Sequence, residues 1–305
     1  MTAVFRRVAG RLALCLAVLC WWLPAPATSA PRVEWRPSAP RVGDVVVIEV
    51  NTTSPHARLT GTLGGIPLAF FPHASATNPV RDPLGPRQAA VIGLDVDLTA
   101  GLQDWHIEIR DGHGPPHRLA GQLTVAARSF NVQRLTLPSG MVDLDPDTER
   151  RASAEAERLR ATYRTLTPER LWRGRFVKPV SGDEPGTGFG ARRIINGQPR
   201  APHTGVDYAA PTGAPVVASN AGRIVLVAEF FFPGRLAVID HGLGLHTLYF
   251  HLDSVSVAEG QVVERGQAIG TVGATGRATG PHLHFGVQVG AARVDPAALL
   301  ALDLD

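Results

Sequence analysis

The first half of the chain alternates apolar and polar residues in short runs that glycine and proline separate. This pattern extends from Arg32 to about Arg128, and clear cases are Val46, Ile48 and Val50, Leu94, Val96 and Leu98, and Trp105, Ile107 and Ile109. A period of two is typical of strands that bury one face. We therefore predict a small antiparallel β-sandwich of immunoglobulin-like type over residues 31–128.

A helical connector is predicted over residues 129–174. Asp145 and Pro146 suit a helix start, because Asp caps the first turn and Pro fits its first position. One narrow apolar stripe then follows at spacings of four and three: Ala152, Ala156, Leu159, Tyr163 and Leu166. Thr167-Pro168 ends this helix and suits the start of a second short one that reaches Trp172. We expect the stripe to pack on a neighbouring domain, with a coiled-coil dimer seam as the alternative.

Residues 175–305 predict an antiparallel β-domain. Frequent glycines mark turns, and no long helical period interrupts the strand-like runs. These runs are Pro215 to Ala218, Arg223 to Ala228, Leu236 to Ile239, Leu245 to Phe250, Gln267 to Val272 and Leu283 to Val289. The run Phe230-Phe231-Phe232 is expected to fill the core at a hairpin end, with an aromatic wall beside a cleft as the alternative.

The N-terminal residues 1–30 have the pattern of an export signal. Three arginines precede an apolar run from Leu12 through Leu23, and small residues follow it up to Ala30. The run is shorter than the ~20 residues of a membrane-spanning helix, so we expect cleavage after Ala27 or Ala30 and no stable membrane span, with an uncleaved anchor as the alternative. The three arginines account for the formal charge of +3. The mature chain is then close to neutral, which predicts no nucleic-acid partner.

Both cysteines of the chain, Cys15 and Cys20, lie in this signal. The mature chain therefore has no thiol, and any metal site must be built from His, Asp and Glu.

Two histidines stand one residue apart in Gly280-Pro281-His282-Leu283-His284-Phe285. On a strand, residues i and i+2 point to the same face, about 6.6 Å apart, so both imidazoles can address one centre. An isolated His-x-His is more often structural, so this pair needs partners elsewhere.

Further candidates come from His203-Thr204-Gly205-Val206-Asp207 and from His251. Gly205 and the strand-like run after it favour a turn that folds the imidazole and the carboxylate towards each other. Alternation would place Thr247, Tyr249 and His251 on one strand face and His246, Leu248 and Phe250 on the other. His246 is therefore not expected to share a site with His251.

Hydrolysis at a catalytic zinc site needs three protein ligands, an open position for water, and a group that moves protons. His203, Asp207 and one of His282 or His284 meet the first demand. The other histidine of the pair and His251 can meet the last. The sequence has no His-Glu-x-x-His helix, so histidine must take the role of the base.

Together these motifs resemble the lysostaphin- and LytM-type peptidoglycan metalloendopeptidases. The resemblance covers about residues 176–300. Its motifs are Gly188-Phe189-Gly190-Ala191-Arg192-Arg193, His203-x-x-x-Asp207, Tyr249-Phe250-His251-Leu252 and Gly276 through Phe285. The predicted sandwich and connector are also similar to the layout of exported members from Gram-negative bacteria.

The resemblance implies that His203, Asp207 and His284 bind Zn²⁺, while His251 and His282 are catalytic. Zinc-bound water would be the nucleophile, assisted by these two histidines. The expected substrate is peptidoglycan, at its stem peptides or crossbridges, and the expected location is the periplasm or cell envelope. The alternative function is a non-catalytic or latent wall-binding activator of other hydrolases, which usually lacks one or more of these residues.

Overall fold

The computed structural model describes residues 31–52, 54–73, 86–112, 115–181 and 188–304. The predicted export signal, with both cysteines, lies outside these residues. The described chain is mainly β, as predicted. Its first eight strands are β1 (Val33–Arg36), β2 (Val45–Asn51), β3 (Arg58–Leu63), β4 (Ile66–Pro67), β5 (Phe70–His73), β6 (Arg87–Gly93), β7 (Gly101–Arg110) and β8 (His117–Val125).

These eight strands form two four-stranded sheets, in the orders β1-β2-β6-β5 and β4-β3-β7-β8. Alternating residues of the two sheets share one apolar core, in which Val46 and Ile48 of β2 meet Ile107 and Ile109 of β7. The first half of the chain is therefore a β-sandwich, and its immunoglobulin-like type stays a prediction.

Strand β2 is buried on both faces, along all seven residues. Val46 and Ile48 point into the sandwich, whereas Val45 and Val47 join the core of the second half of the chain. This second contact explains why Val45-Val46-Val47-Ile48 is continuously apolar, because a strand covered on both sides has no face for polar residues.

The connector contains β9 (Val132–Leu135), a 3-10 helix (Ser139–Met141) and α1 (Pro146–Arg164). Asp145 caps α1, accepting hydrogen bonds from the backbone N–H groups of Asp147 and Thr148. The second short helix predicted up to Trp172 is not formed. That segment is irregular, and Trp172 is instead fully buried against Phe71 of the sandwich, with ring centroids 5.5 Å apart.

The apolar stripe of α1 packs on the second half of the chain, as predicted. Leu159 and Tyr163 contact a cluster that includes Leu226, Leu236 and Leu248. Leu159 and Tyr163 are thereby covered within the chain, whereas Leu166 at the end of the stripe is exposed. Among the described residues, no helix combines the length and the apolar character needed to cross a membrane.

Eleven further strands and one helix complete the chain: β10 (Arg192–Ile195), β11 (Gln198–Pro199), β12 (Gly205–Ala209), β13 (Pro215–Val217), β14 (Gly222–Phe230), β15 (Gly234–Asp240), β16 (Leu245–Val255), β17 (Val262–Val263), β18 (Ala268–Val272), β19 (His282–Val289), β20 (Ala292–Val294) and α2 (Pro296–Ala301). Strands β12 to β20 form a nine-stranded sheet with the central order β12-β19-β16-β15-β14-β17. Its strand pairs are antiparallel, as predicted.

One strand pair departs from the prediction. Strand β9 of the connector pairs in parallel with β10, which also pairs with β11. The connector is thus hydrogen-bonded into the second half of the chain, and its residues reach the groove described next.

Candidate metal centre

The pairing of β12 with β19 brings the first two candidate ligands together. Asp207 lies directly opposite His284 in this antiparallel pair, so both side chains point to the same face of the sheet. Gly205 allows the close approach, because a Cβ at this position would lie 2.7 Å from Nε2 of His284 and 2.4 Å from the carbonyl oxygen of Phe285. His203 precedes β12 and is held by backbone hydrogen bonds to Ala191 and Gly190.

Three ligand atoms converge at this point. Nε2 of His203 lies 3.0 Å from Oδ1 of Asp207 and 3.0 Å from Nδ1 of His284. The third side of the triangle, from Nδ1 of His284 to Oδ1 of Asp207, is 2.9 Å. Within the described part of the chain, these residues are the group of His, Asp and Glu side chains placed to hold a metal ion.

The donor set fits a divalent metal such as zinc. Atoms bound tetrahedrally at about 2.0–2.2 Å lie roughly 3.3–3.6 Å from one another, close to the spacing of this triangle. Burial lowers the pKa of His203 to about 4, despite the hydrogen bond to Asp207. Burial would raise the pKa of Asp207, but His203 and His284 hold it well below its usual range. At neutral pH the site therefore offers a neutral imidazole and a carboxylate, the forms that bind metals.

His282 lies two residues before His284 on β19, and its ring faces the same site. Its Nδ1 lies 2.8 Å from the carbonyl oxygen of Gly280. A carbonyl oxygen only accepts hydrogen bonds, so Nδ1 carries a proton and donates it to this carbonyl. Nε2 of His282 lies 3.8 Å from Oδ1 of Asp207.

His251 is held in the same way on the other side of the site. Its Nδ1 donates a hydrogen bond to the carbonyl oxygen of Thr275 at 2.8 Å, which leaves Nε2 as an acceptor. Burial, together with repulsion from His284 and His282, lowers the pKa of His251 to about 3. The rings of His251 and His282 are 4.7 Å apart between centroids.

The predicted strand face of His251 was wrong. Tyr249 pairs with Phe285 on one face of the sheet and Phe250 pairs with His284 on the other, so alternation would point His251 away from the site. His251 instead has a φ of +61°, a left-handed conformation that is uncommon for a residue with a Cβ. This conformation turns its imidazole to the face of His284.

His246 does not share the site, as predicted, but the reason differs. It lies on the same sheet face as His284, opposite Gln288, and packs against Tyr163 of α1 with ring centroids 5.7 Å apart. The position on that face nearest the site belongs to Phe250, whose ring stacks on His284 at 5.3 Å with an interplanar angle of 12°. Distance along the strand, not the choice of face, keeps His246 away.

Two cavities meet at the candidate metal centre. The smaller, about 350 Å³, is lined by Asp207, His251, His282 and His284 together with residues of β9 and the loop before β19. The larger, about 600 Å³, lies between the site and the connector, and Ala152 and Ala156 of α1 contribute to its wall. The centre therefore lies in a groove that continues in two directions.

Sequence reasoning gave no role to several residues that line this groove. Arg193, at the end of a quoted motif, lies with Nη2 3.7 Å from Oδ2 of Asp207. Arg277 and Phe232 line the larger cavity, whereas Phe230 is buried in the core. Both interpretations of the phenylalanine run thus hold, each for a different residue. An arginine in a glycine-rich loop was the available signal for Arg277, but only folding shows that the loop borders the site.

A His-Asp-His cluster of two buried imidazoles and a partly buried carboxylate, flanked by two further imidazoles, is the type of site found in catalytic zinc proteins. Residues 201–296 match the model of peptidase family M23. The crystal structure of a Pseudomonas aeruginosa protein described as a candidate M23 peptidase superposes with a TM-score of 0.63 and 30% identity, over 86% of this chain and 95% of that one. The chain belongs to peptidase family M23.

Two curated relatives match over shorter regions. Peptidoglycan DD-endopeptidase ShyB of Vibrio cholerae is 49% identical over 88 residues, which are 29% of this chain and 21% of the relative. DD-carboxypeptidase/endopeptidase Mpg of Neisseria meningitidis is 46% identical over 97 residues, or 32% and 22% of the two chains. The matches thus cover about a fifth of the length of these relatives.

Proposed function

We propose that this protein is an exported zinc metalloendopeptidase that hydrolyses peptide crosslinks of bacterial peptidoglycan. The observation that carries the proposal is the triangle of His203, Asp207 and His284, with edges of 2.9–3.0 Å, between two imidazoles whose Nδ1 atoms each donate to a backbone carbonyl. When bound, zinc supplies a Lewis acid that acidifies water and polarises a carbonyl group.

In this proposal His203, Asp207 and His284 hold the zinc ion. Arg193 supports the set, because its guanidinium lies beside Oδ2 of Asp207, the oxygen not directed at the two imidazoles. Two nitrogens and one oxygen leave a coordination position open, as catalytic zinc sites require.

His251 and His282 carry the proton transfer. Hydrolysis adds a hydroxyl group to the carbonyl carbon, breaks the C–N bond and gives a proton to the departing amine. The Nε2 atom of either histidine can take the proton of the attacking water and pass it on to that amine. The imidazolium formed between these steps is a hydrogen-bond donor that stabilises the developing oxyanion. The backbone carbonyls of Gly280 and Thr275 fix the tautomers that this role needs.

The substrate, location and domain organisation are part of the same proposal. The names of ShyB and Mpg describe enzymes that cleave D,D peptide bonds, and the first is named for peptidoglycan. Peptidoglycan lies outside the cytoplasm, so residues 1–30 would be a signal peptide and the mature chain would act in the periplasm. Its parts would be the sandwich (31–128), the connector (129–174) and the peptidase domain (175–305).

The alternative of a non-catalytic activator is not favoured. Such a protein has no use for a complete set of ligands and bases, whereas all five predicted residues of this chain lie around one groove.

The test is mass spectrometry of muropeptides released when the purified mature chain, loaded with zinc, is incubated with intact sacculi. We expect soluble fragments with new amino and carboxyl termini at the crosslink, and none after treatment with a chelator. A His117→Ala variant is the matched control, because this exposed histidine of β8 lies outside the groove and its loss should not change the product pattern. Release of no fragment by a chain with bound zinc would reject the proposal.

A further inference from the structure

The groove contains positively charged side chains that are neither candidate metal ligands nor candidate bases. Three arginines line it: Arg193 and Arg277 border both cavities, and Arg200 borders the larger one. Among the described residues that line the smaller cavity, Asp207 is the lone carboxylate, and Arg193 already lies beside it. The described lining of the larger cavity includes one carboxylate, that of Glu149. The unbalanced cation of the smaller cavity is therefore Arg277.

Among the described residues, no carboxylate forms an ion pair with Arg277. Its guanidinium stacks on Phe232 at 4.1 Å from the ring centroid, and its backbone N–H donates to the carbonyl oxygen of Phe232 at 2.9 Å. Burial lowers the pKa of Arg277 to about 10, with repulsion from Arg193 and Arg200 adding to it and no acidic group opposing it. Arg277 is still charged at neutral pH, in a place where that charge is poorly solvated.

The loop that carries Arg277 is closely packed. This loop lies so close to the β14–β15 turn that a Cβ on Gly276 would lie 2.3 Å from the backbone nitrogen of Gly234. A Cβ on Gly234 would in turn lie 2.3 Å from Oγ1 of Thr275. The same Thr275 accepts the hydrogen bond of His251 through its carbonyl oxygen. Arg277 and the base His251 are therefore positioned by one short loop.

We infer that Arg277 forms a binding subsite for a substrate carboxylate located next to the bond that is cleaved. The inference rests on the proposed function and names the chemical class of its substrate more closely. A guanidinium suits this task because its planar N–H groups match a carboxylate in a bidentate pair. The guanidinium of Arg277 lies over the ring of Phe232, 4.1 Å from its centroid.

The position of Arg277 indicates which part of the substrate carries the carboxylate. Arg277 lines the same cavity of about 350 Å³ as His251, His282 and His284, so its partner belongs to a residue at the scissile bond. An internal residue of an ordinary peptide has no free α-carboxylate. A diamino dicarboxylic acid that is linked through one amine keeps a carboxylate on the carbon that bears this amine. A crosslink to diaminopimelate has this form, whereas a bridge made of glycine lacks the carboxylate.

The test compares two synthetic crosslinked peptides that differ only at this group, one with the free carboxylate and one with the carboxamide. For the zinc-loaded mature chain we expect kcat/KM to be about 10- to 100-fold higher for the carboxylate, as for a charge-assisted hydrogen bond, mostly through KM. Arg277→Gln should remove this preference, because kcat/KM for the carboxylate peptide falls towards that for the carboxamide peptide. Arg277→Lys should retain part of it, because an ammonium keeps the charge but not the bidentate geometry.

Arg118→Gln is the matched control, since it removes one positive charge from an exposed position of β8. It should keep the full preference. Equal cleavage of the two peptides by the wild-type chain would overturn the inference, as would an equal loss for both peptides in a folded Arg277→Gln variant. If Arg277→Gln does not fold, the wild-type chain and Arg277→Lys decide the matter.

Failure of the proposed function gives a different result. In that case the zinc-loaded chain cleaves neither peptide, and calorimetric binding of the same two peptides decides on the subsite. Tighter binding of the carboxylate by the wild-type chain but not by Arg277→Gln would support the subsite, and equal affinities would reject it.

Discussion

Arg293 of β20 donates three hydrogen bonds to Asp95, a residue of the sandwich that lies 198 positions earlier in the chain. Its backbone N–H and Nε bind Oδ2 at 2.8 and 2.9 Å, and Nη2 binds Oδ1 at 2.6 Å. Nη2 also reaches Asp97, which binds Arg192 at the start of β10. This network joins the sandwich to the sheet that carries the candidate metal centre.

We predict that Asp95→Asn lowers the free energy of unfolding by about 1–3 kcal/mol, because the amide loses the charge and one acceptor of a bidentate pair. Denaturant unfolding of Asp95→Asn, Arg293→Gln and the double variant measures the coupling between the two residues. Asp104→Asn is the control, since Asp104 is exposed on β7 and pairs with Gln122. Additive effects of the two substitutions would show that the pair contributes no coupling.

The same network predicts a loss of stability in acid. Burial would raise the pKa of Asp95, but hydrogen bonds from Arg293 outweigh burial and lower it; hydrogen bonding to Arg192 lowers the pKa of Asp97. A carboxyl group with a lowered pKa in the folded state stabilises the fold above its unfolded pKa of about 3.9, and this contribution is lost as pH falls further. Thermal unfolding between pH 7 and pH 3 should therefore depend less on pH in Asp95→Asn than in the wild-type chain.

Alanine substitutions distinguish the proposed metal ligands from the proposed bases among the five site residues. His203→Ala and His284→Ala should abolish both zinc binding and wall cleavage, because two donors do not hold zinc at a three-ligand site. His251→Ala should keep zinc and lose about 10²- to 10⁴-fold in kcat, the range for loss of a general base. Metal content after dialysis, measured beside turnover, distinguishes the two groups. Retention of zinc at the wild-type level by His284→Ala would contradict the ligand assignment.

Gly205 offers a test of the close approach between β12 and β19. In Gly205→Ala the added methyl group would lie 2.4 Å from the carbonyl oxygen of Phe285, which is backbone and cannot move aside cheaply. We expect His284 to shift and the affinity for zinc to fall by at least about tenfold, the size seen when the support of a ligand is removed. Gly140→Ala is the control, since nothing lies within 4 Å of its Cβ position. Equal zinc affinity in the two variants would show that the strands tolerate the methyl group.

Short sequence patterns predicted the strands and the helix whose formation depends on interactions between nearby residues. Alternation predicted the strands of the sandwich and of the second sheet, and the Asp145-Pro146 start predicted α1 with its capping hydrogen bonds. These features follow from periodicity and capping, which act over a few residues. The motifs left His203, Asp207 and one of His282 or His284 as candidate ligands, and the family resemblance chose His284.

Long-range contacts decided the rest. Alternation placed His251 on the wrong face, because a φ of +61°, stabilised by the hydrogen bond to Thr275, depends on a loop that is distant in sequence. Trp172 was expected in a helix, but its burial against Phe71 outweighed the local preference. Arg277 gained its position from the packing of two turns. The sequence by itself determined which residues can bind metal and which segments form strands. Only the tertiary structure decided on which face of the sheet His251 lies and that Arg277 lines the cavity beside it, because contacts with residues far apart in the chain set both.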